Sequence, residues 1–138
     1  MSVFLDISAA LDGRLNSMVG LPPVAWENTN YEPVVGTLYL RPTNITGDTN
    51  QATLGDSGTD LTIGIYQVDV LAEAGKGKNT ALVMADKIAD HFKRGTDLTY
   101  NSRVVTVISV QRSVSTIDAG WYIIPVEIIY KSFTTART

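Results

Sequence analysis

The segment Gly75–Lys78, with the sequence GKGK, follows a predicted strand and precedes a predicted helix. A strand, a glycine-lysine loop and a helix in this order could cradle a phosphate group, because free backbone N–H groups at a helix start bind anions. The phosphate-binding motif requires GxxxxGK followed by Ser or Thr. Here Asn79 follows Lys78, and Ala72 occupies the position of the first glycine. The spacing therefore argues against a loop that binds a nucleotide. It favours either a turn at Gly75 and Gly77 with Lys76 and Lys78 in solvent, or a loop that contacts another protein.

Residues suited to catalysis are sparse. His91 is the only histidine and the chain has no cysteine, so a triad or a zinc site would lack its usual partners. No nucleophile motif such as GxSxG is present. Asp86 and Asp90 are four residues apart and could pair on one helix face, but exposed acids on a solvated face are the more common arrangement. We therefore predict no catalytic residue, no cofactor and no metal, and a protein that is not an enzyme.

The length and net charge of the chain limit the number of domains and the classes of protein to which it can belong. The 138 residues suffice for one domain with a single core, and we predict a single domain over residues 1–138. A formal net charge of −3 argues against tight nonspecific binding of nucleic acid, which needs a basic surface. No apolar run approaches the roughly 18 residues of a membrane span, and the start of the chain does not resemble a signal peptide. We expect a soluble, unprocessed protein.

Hydrophobic periodicity predicts two helices, over residues 2–18 and 79–93. Each has apolar side chains at intervals of three or four residues. For the second helix we predict Asn79 as the N-cap and Gly95 as the residue that ends it. The apolar stripes are Phe4, Ile7, Leu11, Leu15 and Met18 in the first helix, and Leu82, Ala85, Ile88, Ala89 and Phe92 in the second.

Alternating apolar residues predict four strands, with Pro42 closing the first and a possible bulge at Gly64 in the second. The predicted strands are Thr37–Arg41, Leu61–Leu71, Arg103–Arg112 and Trp121–Phe133. Pro125 lacks a backbone N–H, so we expect the last strand to lie at a sheet edge or to be bulged there. The predicted fold is α/β (α+β), with a mostly antiparallel sheet of four to five strands packed by two helices.

A polar segment, Thr43–Asp60, interrupts the predicted elements. It is rich in Thr, Asn, Asp and Gly, and its only sizeable apolar side chains are Ile45 and Leu54. Fixing a backbone costs roughly 1–2 kcal/mol per residue, which so little apolar surface does not offset. We expect this segment to be a loop whose order depends on contact with a neighbouring subunit or another partner. A solvated insertion without a role is the alternative.

The order of the motifs resembles a known family. An N-terminal helix leads into GLPPVAW, a TLYLRPT strand and a polar loop; YQVDV followed by AGKG and a helix comes next, and GWYIIPVEIIY ends the chain. This pattern is similar to the phage tail terminator-like family of long, non-contractile-tailed phages and prophages, which has the lambda tail terminator fold. The resemblance covers nearly all of residues 1–133. It implies a structural protein of the virion tail and neck that is made and assembled in the host cytoplasm.

The resemblance further implies the assembly in which the protein acts. Members form a homohexameric ring on the last ring of the tail tube protein, stop tube polymerisation and present a docking surface to a head-completion or neck protein. DNA passes through the ring without specific binding, and no membrane takes part. A head–tail stopper or a tail tube protein with a related fold remains the alternative, and a small nucleotide-binding enzyme is the least favoured. The candidate interface residues are Gly75, Lys76, Gly77 and Lys78 in the loop, and Ile45 and Leu54 in the polar segment.

Overall fold

The computed structural model describes residues 3–51 and 59–135. Two helices and six strands follow one another along the chain. The helices are α1 (Val3–Asn16) and α2 (Asn79–His91); the strands are β1 (Tyr39–Gln51), β2 (Thr59–Glu73), β3 (Asp97–Tyr100), β4 (Arg103–Arg112), β5 (Thr116–Asp118) and β6 (Trp121–Thr135). The predicted fold class is confirmed, because both helices belong to one α+β domain with an antiparallel sheet.

The sheet has the order β1-β2-β6-β4-β3, and β5 pairs with the beginning of β6. Every pairing between these strands is antiparallel. The long central strands β2 and β6 pair from Thr59↔Thr135 to Glu73↔Trp121. One face of the sheet carries the two helices and the main core, and we call the opposite face the outer face.

The first helix buries four of its five predicted core residues. These are Ile7, Leu11, Leu15 and Met18, of which Met18 lies just beyond the helix end. Phe4 was also predicted to be buried, but it is 54% exposed. Buried Val3 and Asp6 occupy the inward side of the first turn instead. Apolar periodicity could not predict this arrangement, because the buried face of α1 includes the charged residue Asp6.

The second helix begins differently from the prediction. Lys78, and not Asn79, is the N-cap, and no side chain caps the helix there. The helix ends at His91, with Phe92 as its C-cap. Gly95, at φ 87°, lies in the connection to β3, where its N–H donates to the Val107 carbonyl.

Strand β1 is longer than predicted. Pro42 was expected to end it, but the strand continues to Gln51 and absorbs half of the segment predicted as a loop. Leu40 bonds outward to the Pro23–Ala25 segment through both its N–H and its carbonyl group. Pro42 comes two residues after Leu40, and alternate residues of a strand direct their backbone N and C=O groups to the same side. The Pro42 nitrogen therefore also points away from β2, and no hydrogen bond of the β1–β2 ladder is lost. Residues 52–58 lie outside the described residues.

Pro125 lies in a central strand whose pairing with β2 shows no register shift there, so the prediction of a sheet edge or a bulge at Pro125 is wrong. On one side Pro125 pairs with Asp69 of β2. On the other side β4 ends at Arg112, opposite Val126, and β5 pairs only as far as Ile123. Pro125 accepts a hydrogen bond from the Ser113 N–H and faces the gap between those two strands. A central proline is tolerated there because the neighbouring strand has already ended.

Gly64 is required by a side chain packed over it. A Cβ atom at this position would lie 2.5 Å from the Tyr130 hydroxyl oxygen and 2.7 Å from its ring. Tyr130 is fully buried, and its hydroxyl donates to the Asn44 side chain at 2.8 Å. The irregularity expected at Gly64 occurs in the partner strand, where β1 gains one residue between Thr46 and Thr49.

Polar contacts fix both ends of α1. Near its start, Asp6 faces Arg103 with 3.5 Å between Oδ2 and Nε, and both side chains are buried. At its end, the Arg14 Nε donates to the His91 carbonyl at 3.0 Å, and the His91 Nε2 donates to the Arg14 carbonyl at 2.6 Å. The single histidine therefore joins the C-terminal ends of the two helices.

Candidate assembly interface

The outer face of the sheet is covered at one end. Tyr39, Leu71 and Ile123 occupy one row across β1, β2 and β6 and form a second small core cluster. Tyr31 and Trp121 pack against Tyr39, with ring centroids 4.9 and 5.0 Å apart. The chain before β1 thus shields this end from solvent. Both tryptophans contribute to packing, since Trp26 lies against the main core.

Among the described residues, the other end of the outer face is apolar and exposed. We call it the outer patch; it comprises Ile45, Ile63, Ile65, Ile129 and Phe133. Ile45, Ile65 and Ile129 are direct neighbours across three strands. Ile45, Ile63 and Phe133 are 48%, 41% and 52% exposed, which is unusual for such a group of side chains in a monomer.

A cation lies within the outer patch. Lys131 pairs directly with Ile63, and its Nζ lies 5.7 Å from the centroid of the Phe133 ring, a cation–π distance. This single charge keeps part of the patch polar. Between the outer patch and the covered end, Arg41 and Asp69 form an ion pair of 3.0 Å, so a polar band divides the two apolar regions.

The GKGK loop lies at the opposite end of β2, between that strand and α2. Gly75 and Gly77 have φ values of 85° and 83°, which glycine adopts without strain. A Cβ atom at either glycine would meet nothing within 4 Å, so close packing against the rest of the chain is not what requires glycine there. Lys76 and Lys78 are exposed. The loop therefore projects two positive charges into solvent.

A polar groove of about 680 Å³ separates α1 from the Trp26-Glu27 segment and from Asn44 on β1. Asp12 lines the groove and accepts a 2.6 Å hydrogen bond from the Tyr66 hydroxyl. Burial raises the pKa of Asp12, and the negative charge of Glu27 raises it further. Burial and the neighbouring Asp12 likewise raise the pKa of Tyr66 far above its ordinary value, so this phenol stays protonated.

The predicted interface residues do not form one site. Ile45 belongs to the outer patch, whereas Gly75–Lys78 lies beyond the far end of β2. Leu54 falls outside the described residues. The sequence did not predict that Ile63 and Phe133 lie at the surface. The alternation of apolar residues in their strands was equally compatible with a buried face. It also missed the groove, because Asp12 and Glu27 approach each other only through the fold.

The described residues contain no group of three or more His, Cys, Asp or Glu side chains placed to hold a metal ion. Among the helices described, none has the length and apolar character to cross a membrane.

Comparison with known proteins identifies the family. A model of the phage tail terminator protein family matches residues 6–130. The chain belongs to the phage tail terminator family. The family predicted from the motif order is thereby confirmed. It is a family of structural proteins, so the role of this chain is structural and lies in the phage tail.

Solved structures share the fold of this tail terminator family member. One is 23% identical over 96% of both chains, with a TM-score of 0.74. A second, from the virion of a native gene transfer agent particle, is 15% identical over 98% of both chains, with a TM-score of 0.60. At these identities the likeness concerns the fold. No curated protein matches the sequence.

Proposed function

We propose that this protein is the tail terminator itself: a homohexameric ring that caps the last ring of the tail tube and stops its polymerisation. The outer patch is the observation that carries the proposal, together with family membership. Exposed Ile63 and Phe133 favour association in a subunit that buries them against a neighbour or the tube end. The ring then presents a docking surface to a head-completion or neck protein.

The free edge of β1 supports the same assembly. Among the described residues, the outward pairing of β1 is the bridge at Leu40. The Asn44 N–H on that side donates to Glu27; from Ile45 to Gln51 the strand pairs with β2 on one side, and within the described residues its other side offers backbone groups for pairing with another chain. An unpaired edge next to an apolar patch suits a subunit that packs beside copies of itself.

The charge balance fits a conduit for DNA. A ring of subunits that each carry a net charge of −3 has no excess of cations to bind passing phosphates, and dense phosphate contacts would slow transit. In this proposal DNA passes through the ring without specific binding.

Electron microscopy tests the proposal. Purified protein is added to tail tubes assembled from the cognate tube protein, and negatively stained tube ends are imaged over time. We expect a ring of six subunits at tube ends and tubes that stop lengthening. Absence of any density at the ends, with continued growth, would contradict the proposal.

Two outcomes would favour the alternatives. Long tubes formed by this protein alone would indicate a tail tube subunit. Binding to DNA-filled heads, with no binding to tubes, would indicate a head–tail stopper.

A further inference from the structure

The groove beside α1 has the character of a site for a cationic side chain. Its walls include Phe4, which is 54% exposed, and Trp26, and such rings pack against the methylene groups of a lysine and attract its charge. Two carboxyl groups, Asp12 and Glu27, also line it. None of the described residues that line the groove is basic.

The electrostatics of the groove favour the same ligand. The carboxyl group of Asp12 is partly desolvated, and Glu27 adds a second negative charge nearby. The Tyr66 hydroxyl satisfies one oxygen of Asp12, and the Asn44 N–H donates to Glu27 Oε1 at 2.7 Å. These hydrogen bonds orient the carboxyl groups but do not neutralise them. A positive charge placed between them would stabilise both.

The GKGK loop of this chain is complementary in charge to the acidic groove. The GKGK loop exposes Lys76 and Lys78, and no ion pair involves either lysine within the described part of the chain. The glycines around Lys76 lack side chains that would hinder close approach to a groove wall. Charge and shape therefore match between this loop and the groove.

The loop does not reach the groove of its own chain. Asn44, at the groove, pairs with Tyr66 of β2, and β2 continues from there to Glu73 before the loop begins. At roughly 3.4 Å per residue this stretch of strand spans about 24 Å. A contact between loop and groove is therefore a contact between two copies.

We propose that the GKGK loop of one subunit docks into the Asp12–Glu27 groove of the neighbouring subunit, with a lysine between the two carboxyl groups. This inference rests on the proposed ring and specifies which surfaces join its subunits. Loop and groove are different surfaces, so the contact is heterologous and repeats from subunit to subunit until the ring closes.

Disulfide trapping tests the pairing directly, because the chain has no cysteine of its own. The test variant carries Glu27→Cys and Lys76→Cys; the control carries Glu32→Cys and Lys76→Cys, since Glu32 is also exposed but does not line the groove. Both are oxidised mildly, alone and with tail tubes, and analysed on non-reducing gels. We expect a ladder of linked subunits for the test variant only, since a disulfide requires Cα atoms within about 7 Å.

Charge reversal provides a second measurement. Glu27→Lys alone, or Lys76→Glu with Lys78→Glu, should weaken subunit association by roughly tenfold or more, and the combination should restore most of it. Lys87→Glu, on the exposed side of α2, is the matched control and should leave association unchanged. Sedimentation velocity over a dilution series measures free subunits, and counting of rings on tube ends measures those formed only on tubes.

The outcomes separate this inference from the proposed function. Rings that still cap tubes, but give no ladder and no rescue by the combined reversal, overturn the pairing and leave the terminator function intact. Failure of the wild-type protein to cap tubes overturns the proposed function and the pairing with it.

Discussion

Loss of one partner from the buried ion pair between Asp6 and Arg103 should strongly destabilise the fold. Asp6→Ala removes the carboxylate 3.5 Å from the guanidinium, where the side chains of Arg103 and Asp6 are 5% and 4% exposed. Removal of one partner from such a pair costs about 3–5 kcal/mol, because the remaining charge stays desolvated. Asp6 also accepts a 3.2 Å hydrogen bond from Asn101, in the turn between β3 and β4. We therefore expect a loss of about 4 kcal/mol in the free energy of unfolding.

This loss translates into a large thermal shift. For a chain of 138 residues, about 2.1 cal/mol/K per residue gives an unfolding entropy of about 290 cal/mol/K, so about 4 kcal/mol lowers Tm by roughly 14 °C. Urea titration followed by circular dichroism measures the free energy, and scanning calorimetry measures Tm. Asp86→Ala, which removes an exposed acid from α2, is the control and should change stability by less than about 0.5 kcal/mol.

A second variant distinguishes charge from packing. Asp6→Leu with Arg103→Met replaces both charges by apolar groups of similar size and should recover most of the stability, because no desolvated charge remains. The reasoning is refuted if Asp6→Ala costs less than about 1 kcal/mol, or if the double variant is as unstable as Asp6→Ala.

Three further variants probe the sheet and the groove. Gly64→Ala should cost about 1–3 kcal/mol in urea unfolding, since the buried Tyr130 ring occupies the space of the new methyl group; unchanged stability would contradict this packing. Ile63→Asp should abolish capping of tail tubes in electron micrographs while Tm stays within a few degrees, and Val35→Asp, at an exposed valine away from the sheet, should still cap. Burial raises the pKa of Asp12 above 3.8, so the folded state keeps its proton to higher pH and stability falls as pH rises from 3.8 through the folded pKa. Asp12→Asn should flatten this fall in unfolding measurements between pH 3.5 and 7, and an unchanged slope would show that other groups cause it.

Helix α2 and strand β2 show what could be predicted from the sequence. Both have strong local patterns: apolar residues at helical spacing from Leu82 to Phe92, and alternation from Leu61 to Leu71. Such periodicity arises from the geometry of a single element against one core, so it is readable without knowledge of the partners. The family was also predictable from the sequence, because it is recognised by the order of several motifs along the chain.

The prolines show where local rules failed. Pro42 and Pro125 were expected to end a strand or to mark an edge, since proline cannot donate to a ladder. Whether a missing N–H matters depends on which side of the strand it faces and on what lies there. Only the pairing of β1 with β2 and the end of β4 at Arg112 decide that.

The chain by itself determined its two helices, the approximate positions of four of its strands and its family, because these depend on residues close in sequence or on their order. The tertiary structure alone decided which residues meet across the fold: Asp6 with Arg103, 97 positions apart, Tyr130 over Gly64, and Asp12 beside Glu27. It also decided which apolar face stays uncovered. Both helices pack on one side of the sheet, so the alternation in β2 and β6 leaves Ile63 and Phe133 at the surface, where assembly has apolar area to bury.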